Sequence, residues 1–316
     1  MDILLLIIGF IFLLIGGEYL VRVSVALSSR LKLSKMIIGL TVVSFTTSFP
    51  ELLVSLNAAL RGATSIAINN VLGSNIANLG LVLGITTIFA TIHIDKLFYK
   101  FYWPSMIFFS LLTFYFLVND NRLSSQEGFI LFFALILFIF FLIKYFGNST
   151  IAFDQNLESL LLTSNTKIVI WLLISCCLLY YGAEWLVEGA VDLAKRFGVS
   201  EAVISVSVVA FGTSIPELSA SIIAVIKKEN ALSIGNLIGS NIFNLGSVLG
   251  LTAIVDDIIV EDLSILSRDI IWMLVFTAIL LPLAVIKKQN KLGFKEGLGL
   301  VVLYTVFMIS VFSVNY

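Results

Sequence analysis

The chain alternates between long apolar stretches and short polar ones along its 316 residues. A stretch of about 20 apolar residues is long enough to cross a bilayer as an α-helix. The stretches are too continuously apolar for the alternating pattern of a membrane β-barrel. Ten helices are predicted, at about 3–22, 36–60, 65–90, 101–118, 127–146, 168–187, 199–226, 231–255, 269–286 and 296–314. The predicted fold class is an all-α membrane protein with ten transmembrane helices.

An internal repeat lies within this pattern. Residues 16–88, the first copy, align without a gap on residues 182–254, the second copy, with 33 identities in 73 positions. The constant offset is 166 residues. The identities are densest in two blocks, Thr47–Leu52 against Thr213–Leu218 and Gly73–Gly80 against Gly239–Gly246.

The repeat starts in the first predicted helix and again in the sixth, so five helices separate the two copies. Because five is odd, the copies cross the membrane in opposite directions, which is the plan of many secondary transporters. The sequence therefore predicts two inverted five-helix repeats. The first repeat is residues 1–146 and the second is residues 168–316, joined by a short cytoplasmic linker at 147–167.

Composition and charge agree with a membrane location. The chain is 59% hydrophobic and 12% charged, with a mean hydropathy of +1.08, whereas soluble domains carry about 25% charged residues. With the N-terminus outside, 14 of the 19 Lys and Arg residues fall in cytoplasmic loops, as the positive-inside rule requires. The prediction is a multi-pass protein of the cell membrane with both termini extracellular.

Two acidic residues, Glu51 and Glu217, lie midway along predicted helices and match each other in the repeat. A carboxylate inside the membrane is costly and therefore indicates function. Pro50 and Pro216 precede them. Proline lacks an N–H and its ring clashes with the carbonyl four residues earlier, so each helix is expected to bend and to free the carbonyl of Thr46 or Gly212. Irregular backbone at membrane depth is tolerated where it lines a polar cavity.

The side chains near the glutamates offer oxygen ligands. Hydroxyl, carbonyl and carboxylate oxygens suit Ca2+ or Na+ better than zinc or copper. The chain has a single histidine, His93, and two adjacent cysteines, Cys176 and Cys177, which do not make a transition-metal site. Two carboxylates held together in low dielectric repel each other, so the site is expected to become protonated or to hold cations. No phosphate-binding loop is present, so direct coupling to ATP is not expected.

Two further helices add polar pairs. Ser74 with Asn78, and Ser240 with Asn244, lie four residues apart and share a helix face. We expect each pair to face Glu51 or Glu217. For the neighbouring Asn75 and Asn241, the sequence leaves open whether they belong to the site or hydrogen-bond between helices.

Both copies carry Thr-Ser-x-Pro-Glu followed by Gly-Ser-Asn-Ile-x-Asn. These motifs resemble the alpha repeats of the calcium/cation antiporter superfamily, in its sodium/calcium exchanger branch. The resemblance implies that Ca2+ binds the side chains of Glu51 and Glu217 and the carbonyls of Thr47 and Thr213. It implies flanking Na+ sites from Ser48, Ser74 and the Ser44 carbonyl, and from Ser214, Ser240 and the Ala210 carbonyl, with Asn78 and Asn244 in the middle.

One position departs from the family pattern. Characterised archaeal exchangers and the potassium-dependent branch have aspartate where this chain has Asn244. The site therefore has two carboxylates instead of three, which argues against potassium dependence. With two negative charges, one Ca2+ leaves the site neutral and three Na+ leave it at +1, so such exchange is electrogenic.

The leading prediction is a Na+/Ca2+ antiporter that works by alternating access. An exchanger of H+ for Ca2+ or another divalent cation is the alternative, because glutamates can titrate. A cation channel is less favoured, since it does not need two inverted copies around one site. An enzyme is not expected, because a hydrolase needs a nucleophile with a base or histidine ligands. The predicted partners are Ca2+, Na+ and the lipid bilayer, with no cofactor, ATP or nucleic acid.

Overall fold

The computed structural model describes residues 2–147, 164–197, 212–260, 262–285 and 290–314. Most of these residues are helical, as the predicted all-α class requires. The α-helices are α1 (Asp2–Leu31), α2 (Lys35–Ile38), α3 (Ser44–Thr47), α4 (Phe49–Leu60), α5 (Thr64–Ala77), α6 (Leu83–Phe89), α7 (Trp103–Asp120), α8 (Ser125–Phe146), α9 (Asn165–Arg196), α10 (Ile215–Ile226), α11 (Asn230–Phe243), α12 (Gly250–Val255), α13 (Ile270–Val285) and α14 (Phe294–Val314). The π-helical segments are π1 (Gly39–Val43), π2 (Asn78–Val82), π3 (Phe98–Tyr102), π4 (Asn244–Leu249) and π5 (Ile265–Asp269).

Within the described ranges, eight helical stretches are long and apolar enough to cross a membrane, and the broken stretch 35–60 makes a ninth. The predicted span at 199–226 is described only from Gly212 onward. The first span was predicted too short, because α1 continues to Leu31 instead of ending near residue 22. Hydropathy detects only the apolar part of a helix, and the end of α1 is polar.

The chain forms two compact units, each of which combines residues from both sequence halves. The first unit is Met1–Thr47 with Ile139–Asn236, and the second unit is Ser48–Phe138 with Leu237–Tyr316. The division into repeats at 1–146 and 168–316 follows the sequence copies and stays a prediction. Most of the predicted linker at 147–167 lies outside the described residues.

In the first unit, the two longest helices, α1 and α9, pack against each other. Glycine allows this close approach: a Cβ on Gly9 would lie 2.6 Å from the backbone nitrogen of Leu186. Small residues serve this purpose in membrane helices, where packing replaces the hydrophobic driving force. The hydroxyl of Ser219 on α10 donates to the carbonyl of Leu13 at 2.7 Å. Helix α10, which carries Glu217, is thereby fixed to α1.

In the second unit, glycines of the two copies make equivalent close contacts. A Cβ on Gly84 would lie 3.1 Å from the carbonyl oxygen of Gly297, and a Cβ on Gly250 would lie 3.1 Å from that of Gly128. Gly84 and Gly250 are separated by the repeat offset. The repeated glycines therefore bring α6 close to α14 and α12 close to α8.

Four two-residue strands, which the sequence analysis did not predict, form two antiparallel ribbons in the second unit. Strand β1 (Ile92–His93) pairs with β4 (Lys291–Leu292), and β2 (Arg122–Leu123) pairs with β3 (Ile258–Ile259). Each ribbon joins the first sequence half to the second. So short a pair is marginal alone, and here each strand buries one apolar side chain completely, at Ile92, Leu123, Ile258 and Leu292.

Candidate cation-binding site

The two copies of the repeat have the same backbone conformation at equivalent serines. Ser48 has φ −84° and ψ 2°, and Ser214 has φ −87° and ψ 3°. These angles belong to the sparsely populated bridge region. A new helix begins directly afterwards, with Pro50 or Pro216 in its first turn. Proline suits this position because the first N–H groups of a helix have no partner within it. The predicted proline bend is therefore present in the first copy, where the helices on either side of Ser48 differ in direction by 43°. In the second copy the backbone angles and the new helix are the same, and the residues directly before Gly212 lie outside the described ranges.

The helix that follows each of these serines has a glutamate in its first turn. Glu51 lies in the first turn of α4, in the second unit, and Glu217 in the first turn of α10, in the first unit. Both side chains are 0% exposed. The positive end of the helix dipole stabilises a carboxylate at such a position. Each unit thus holds one buried acidic group at a helix start, where a bound cation would offset the cost of its burial.

The proline also changes the bonding of the helix before the break. Pro50 cannot donate to the carbonyl of Thr46, and the thiol of Cys176 approaches that oxygen to 3.8 Å. A thiol is a weak donor. Cys176 lies on α9, so this contact connects α9 with the end of the broken helix. The cysteine was expected to be structural, and this contact is of that kind.

In the first unit, Asn236 forms hydrogen bonds with polar residues that precede Ser48 and with one on α10. Its amide oxygen accepts from the hydroxyl of Thr47 at 3.0 Å, and its amide nitrogen donates to Ser221 at 3.2 Å. Its backbone carbonyl lies 2.9 Å from the hydroxyl of Ser44. Two predicted ligand residues, Ser44 and Thr47, are therefore fixed by one fully buried asparagine.

The second unit contains the equivalent pair. The amide nitrogen of Asn70 donates to the hydroxyl of Ser55 at 3.0 Å and to the backbone carbonyl of Glu51 at 3.3 Å. Asn70 and Ser55 correspond to Asn236 and Ser221 at the 166-residue offset. The sequence analysis missed all four residues. The signal that identifies them is their identity between the copies, because they are polar residues in otherwise apolar helices.

Asn78 and Asn244 each mark the point where an α-helix becomes a π-helix. Segment π2 begins at Asn78 and π4 begins at Asn244. Such π turns are rare and occur often at functional sites. Within the described part of the chain, both polar atoms of the Asn78 side chain, the Asn244 amide oxygen and the Ser214 hydroxyl have no hydrogen-bond partner. Buried polar atoms normally need a partner, and a bound cation would supply one to each oxygen.

Ten of the twelve predicted ligand residues are buried. They are Ser44, Thr47, Ser48, Glu51, Ser74, Asn78, Ser214, Glu217, Ser240 and Asn244. Thr213 is half-buried, and Ala210 lies outside the described residues. Helix α4 packs against α5 and π4 in the second unit, and α3 packs against α10 in the first. The structure therefore groups the predicted ligands by unit, with a glutamate in each.

The available donors are mainly hydroxyl, amide and carboxylate oxygens. In the described ranges, no three His, Cys, Asp or Glu side chains converge as a metal site. Hard cations such as Na+ and Ca2+ accept neutral oxygen ligands readily. The groups present therefore fit a weakly held hard cation better than a tightly bound transition metal.

Comparison with known proteins agrees with this chemistry. The profile of the sodium/calcium exchanger protein family matches residues 1–144 and 167–313. The inner membrane protein YrbG of Escherichia coli is 34% identical over 87% of this chain and 86% of its own length. The sodium/calcium exchanger MaX1 of Methanosarcina acetivorans is 29% identical over 98% of both chains. A solved structure of the sodium-calcium exchanger NCX_Mj aligns with a TM-score of 0.82 at 27% identity, covering 98% of this chain and 97% of that one.

Proposed function

Because the chain belongs to the sodium/calcium exchanger family, we propose that it exchanges Na+ for Ca2+ across the cell membrane as a secondary antiporter. The observation that carries the proposal is the duplicated helix start that follows Ser48 and Ser214, because it holds one buried glutamate in each unit. Packing alone does not require two matched carboxylates in hydrocarbon. A transported cation does require them, because its charge must be balanced where water is absent.

The proposed ligands follow the two copies. Glu51 and Glu217 bind Ca2+ with the carbonyls of Thr47 and Thr213. Na+ is bound by the hydroxyl and carbonyl groups that flank each break, at Ser44, Ser48 and Ser74 in one copy and at Ala210, Ser214 and Ser240 in the other. Asn78 and Asn244 supply neutral amide oxygens. Exchange of three Na+ for one Ca2+ moves net charge, so transport is electrogenic.

We propose ten transmembrane helices in two inverted five-helix repeats, which work by alternating access. Support comes from the two ribbons of the second unit. The repeat offset maps Ile92 of β1 onto Ile258 of β3, and the ribbons pair β1 with β4 and β3 with β2. The partner strands correspond at an offset of 169, Leu123 to Leu292, so exchanging the two halves maps one ribbon onto the other with a three-residue shift in the partner strand. This agrees with a two-fold relation between inverted repeats.

We propose that both termini are extracellular. Within each unit, contacts between distant loops join segments predicted on the same side of the membrane. Lys35 pairs with Glu229 at 2.7 Å, both in predicted cytoplasmic loops. Arg122 approaches Asp257 at 3.7 Å, both in predicted extracellular loops. These contacts agree with the distribution of Lys and Arg from which the orientation was predicted.

The test uses purified protein in proteoliposomes loaded with Na+ and diluted into Na+-free buffer containing 45Ca2+. We expect Ca2+ uptake that needs the outward Na+ gradient, responds to a potential clamped with valinomycin and K+, and is unchanged by K+ at zero potential. Protein-free liposomes are the control. Absence of Na+-driven uptake would overturn the proposal.

The same assay separates the alternatives. Uptake driven by a proton gradient in the absence of Na+ would identify H+/Ca2+ exchange, which the same buried glutamates can support by titrating. Uptake that follows the Ca2+ gradient with no dependence on a counter-ion would identify a cation channel.

A further inference from the structure

A chain of three asparagines in the second unit links the two copies of the Gly-Ser-Asn-Ile-x-Asn motif. The amide nitrogen of Asn75 donates to the backbone carbonyl of Asn241 at 3.3 Å and faces the sulfur of Met273 at 3.8 Å. The amide oxygen of Asn75 accepts from the amide nitrogen of Asn244 at 3.1 Å. Asn75, Asn241 and Asn244 are at most 1% exposed.

These contacts fix the direction of both amide groups. A backbone carbonyl only accepts, so the side of Asn75 that faces Asn241 must be its nitrogen. The amide oxygen of Asn75 then faces Asn244, and the group of Asn244 that donates to it must be the amide nitrogen. The amide oxygen of Asn244 therefore points away from Asn75. It is buried, and it has no hydrogen-bond partner in the described part of the chain.

We infer that Asn75 is a positioning residue that holds Asn244 with its amide oxygen presented to the transported cation. This inference rests on the proposed function and adds a residue to which neither the motif nor the comparisons give a role. Without the acceptor on Asn75, the amide of Asn244 is free to turn and present its nitrogen. A cation is repelled by an amide nitrogen, which is a donor with no acceptor capacity.

The equivalent residues of the other copy do not form the same pair of hydrogen bonds. Asn241 occupies the position equivalent to Asn75, but its amide nitrogen donates to the carbonyl of Leu237 in its own helix at 2.8 Å. Asn78, the equivalent of Asn244, receives no hydrogen bond from described residues. Asn244 is therefore held by a hydrogen bond to Asn75, whereas Asn78 has no such bond among the described residues. The structure thus assigns different roles to two asparagines that the sequence makes equivalent.

The test compares Asn75→Leu with Asn241→Leu. Each substitution replaces a buried asparagine whose amide nitrogen donates to a backbone carbonyl. Only Asn75→Leu removes the acceptor for Asn244. We expect it to raise the KM for Ca2+ in Na+-driven uptake about 10-fold, the equivalent of one hydrogen bond, with kcat nearly unchanged. Asn241→Leu should change KM less than about 2-fold. Asn75→Ala replaces the leucine variant if the latter does not fold.

A double-mutant cycle tests whether Asn75 acts through Asn244. If it does, adding Asn75→Leu to Asn244→Ala should change KM by less than about 2-fold, because the oxygen that Asn75 orients is already gone. Additive effects, or an equal effect of Asn241→Leu, would show general packing and overturn the inference. Binding of 45Ca2+ to the purified parent separates the two proposals. If the parent protein neither binds nor exchanges Ca2+, the proposed function is wrong. If the parent is active and Asn75→Leu has the same KM for Ca2+, only this inference is wrong.

Discussion

The two copies of the repeat agree in their backbone and differ in their side-chain contacts. Ser48 and Ser214 have backbone angles within a few degrees of each other, and π2 and π4 begin at equivalent asparagines. Asn70 and Asn236 each donate to an equivalent serine. Asn70 is half-buried, however, whereas Asn236 is fully buried and also accepts from Thr47.

The difference shows which features a duplicated sequence preserves. A helix break before proline is local, because it follows from the missing N–H and the ring of that residue. A hydrogen bond between helices depends on which segments meet in the tertiary structure, and equivalent residues of the two copies meet different segments. Asn75 bonds to Asn241 and Asn244 of the other copy, whereas Asn241 bonds within its own helix. Asn75 lies beside Met273, which is outside both copies. Equivalent residues therefore have the same backbone and different partners.

The largest effect on transport is expected at the two glutamates, which have equivalent positions and burial in the two copies. Glu51→Gln and Glu217→Gln should each reduce Na+-driven Ca2+ uptake by about 100-fold or more, because each leaves one positive charge of Ca2+ uncompensated in a buried site. Uptake in proteoliposomes measures this, with Glu184→Gln, an exposed carboxylate, as control. If one variant were inactive and the other retained more than about a tenth of parent activity, the two glutamates would not share a role.

The repeated asparagine and serine pairs should differ in their effect on stability. Asn236→Ala should lower the free energy of unfolding by about 2 kcal/mol and Asn70→Ala by about 1 kcal/mol, because a fully buried asparagine leaves partners that water cannot reach. Thermal unfolding in detergent gives the ranking. Equal losses would show that the difference in burial has no energetic consequence.

Aspartate at the two motif asparagines should also distinguish the copies. Asn244→Asp removes the donor to Asn75 and places a carboxyl oxygen against the amide oxygen of Asn75. The rate of Na+-driven Ca2+ uptake by Asn244→Asp should be about 10-fold lower than that by Asn78→Asp. A difference of about 10-fold corresponds to the loss of about one hydrogen bond to a buried group. Adding Asn75→Leu to Asn244→Asp should restore part of the loss. Equal rates for the two aspartate variants would contradict the asymmetry.

The smallest effect is expected for two glutamates that match at the repeat offset, Glu18 in α1 and Glu184 in α9. Glu18 pairs with Arg22 at 2.6 Å and with Lys227 at 2.7 Å, whereas Glu184 pairs with no basic side chain among the described residues. Glu18→Gln should cost less than about 1 kcal/mol, since partly exposed ion pairs contribute little. Glu184→Gln should leave the melting temperature unchanged. High salt should abolish the effect of Glu18→Gln; persistence in salt would indicate a contribution from packing.

Much of the site was accessible from the sequence. The exchanger family predicted from the two motifs is confirmed by the family match. Glu51 and Glu217 were predicted because carboxylates in membrane helices are costly and these two match at the repeat offset. The ligand roles of the other residues follow from the family resemblance and stay predictions. Ser55, Asn70, Ser221 and Asn236 also match at the repeat offset, but they were overlooked because they lie outside the densest blocks of identity.

The sequence by itself determined most of the apolar spans, the proline bend of the first copy and the two glutamates that follow Pro50 and Pro216. These features depend on segment length in hydrocarbon and on the chemistry of proline, both of which act within a few residues. The tertiary structure alone decided the strand pairs and the direction of the Asn75 and Asn244 amides. Each of these depends on a partner far away in the chain, and a hydrogen-bond partner cannot be inferred from a residue's own neighbours.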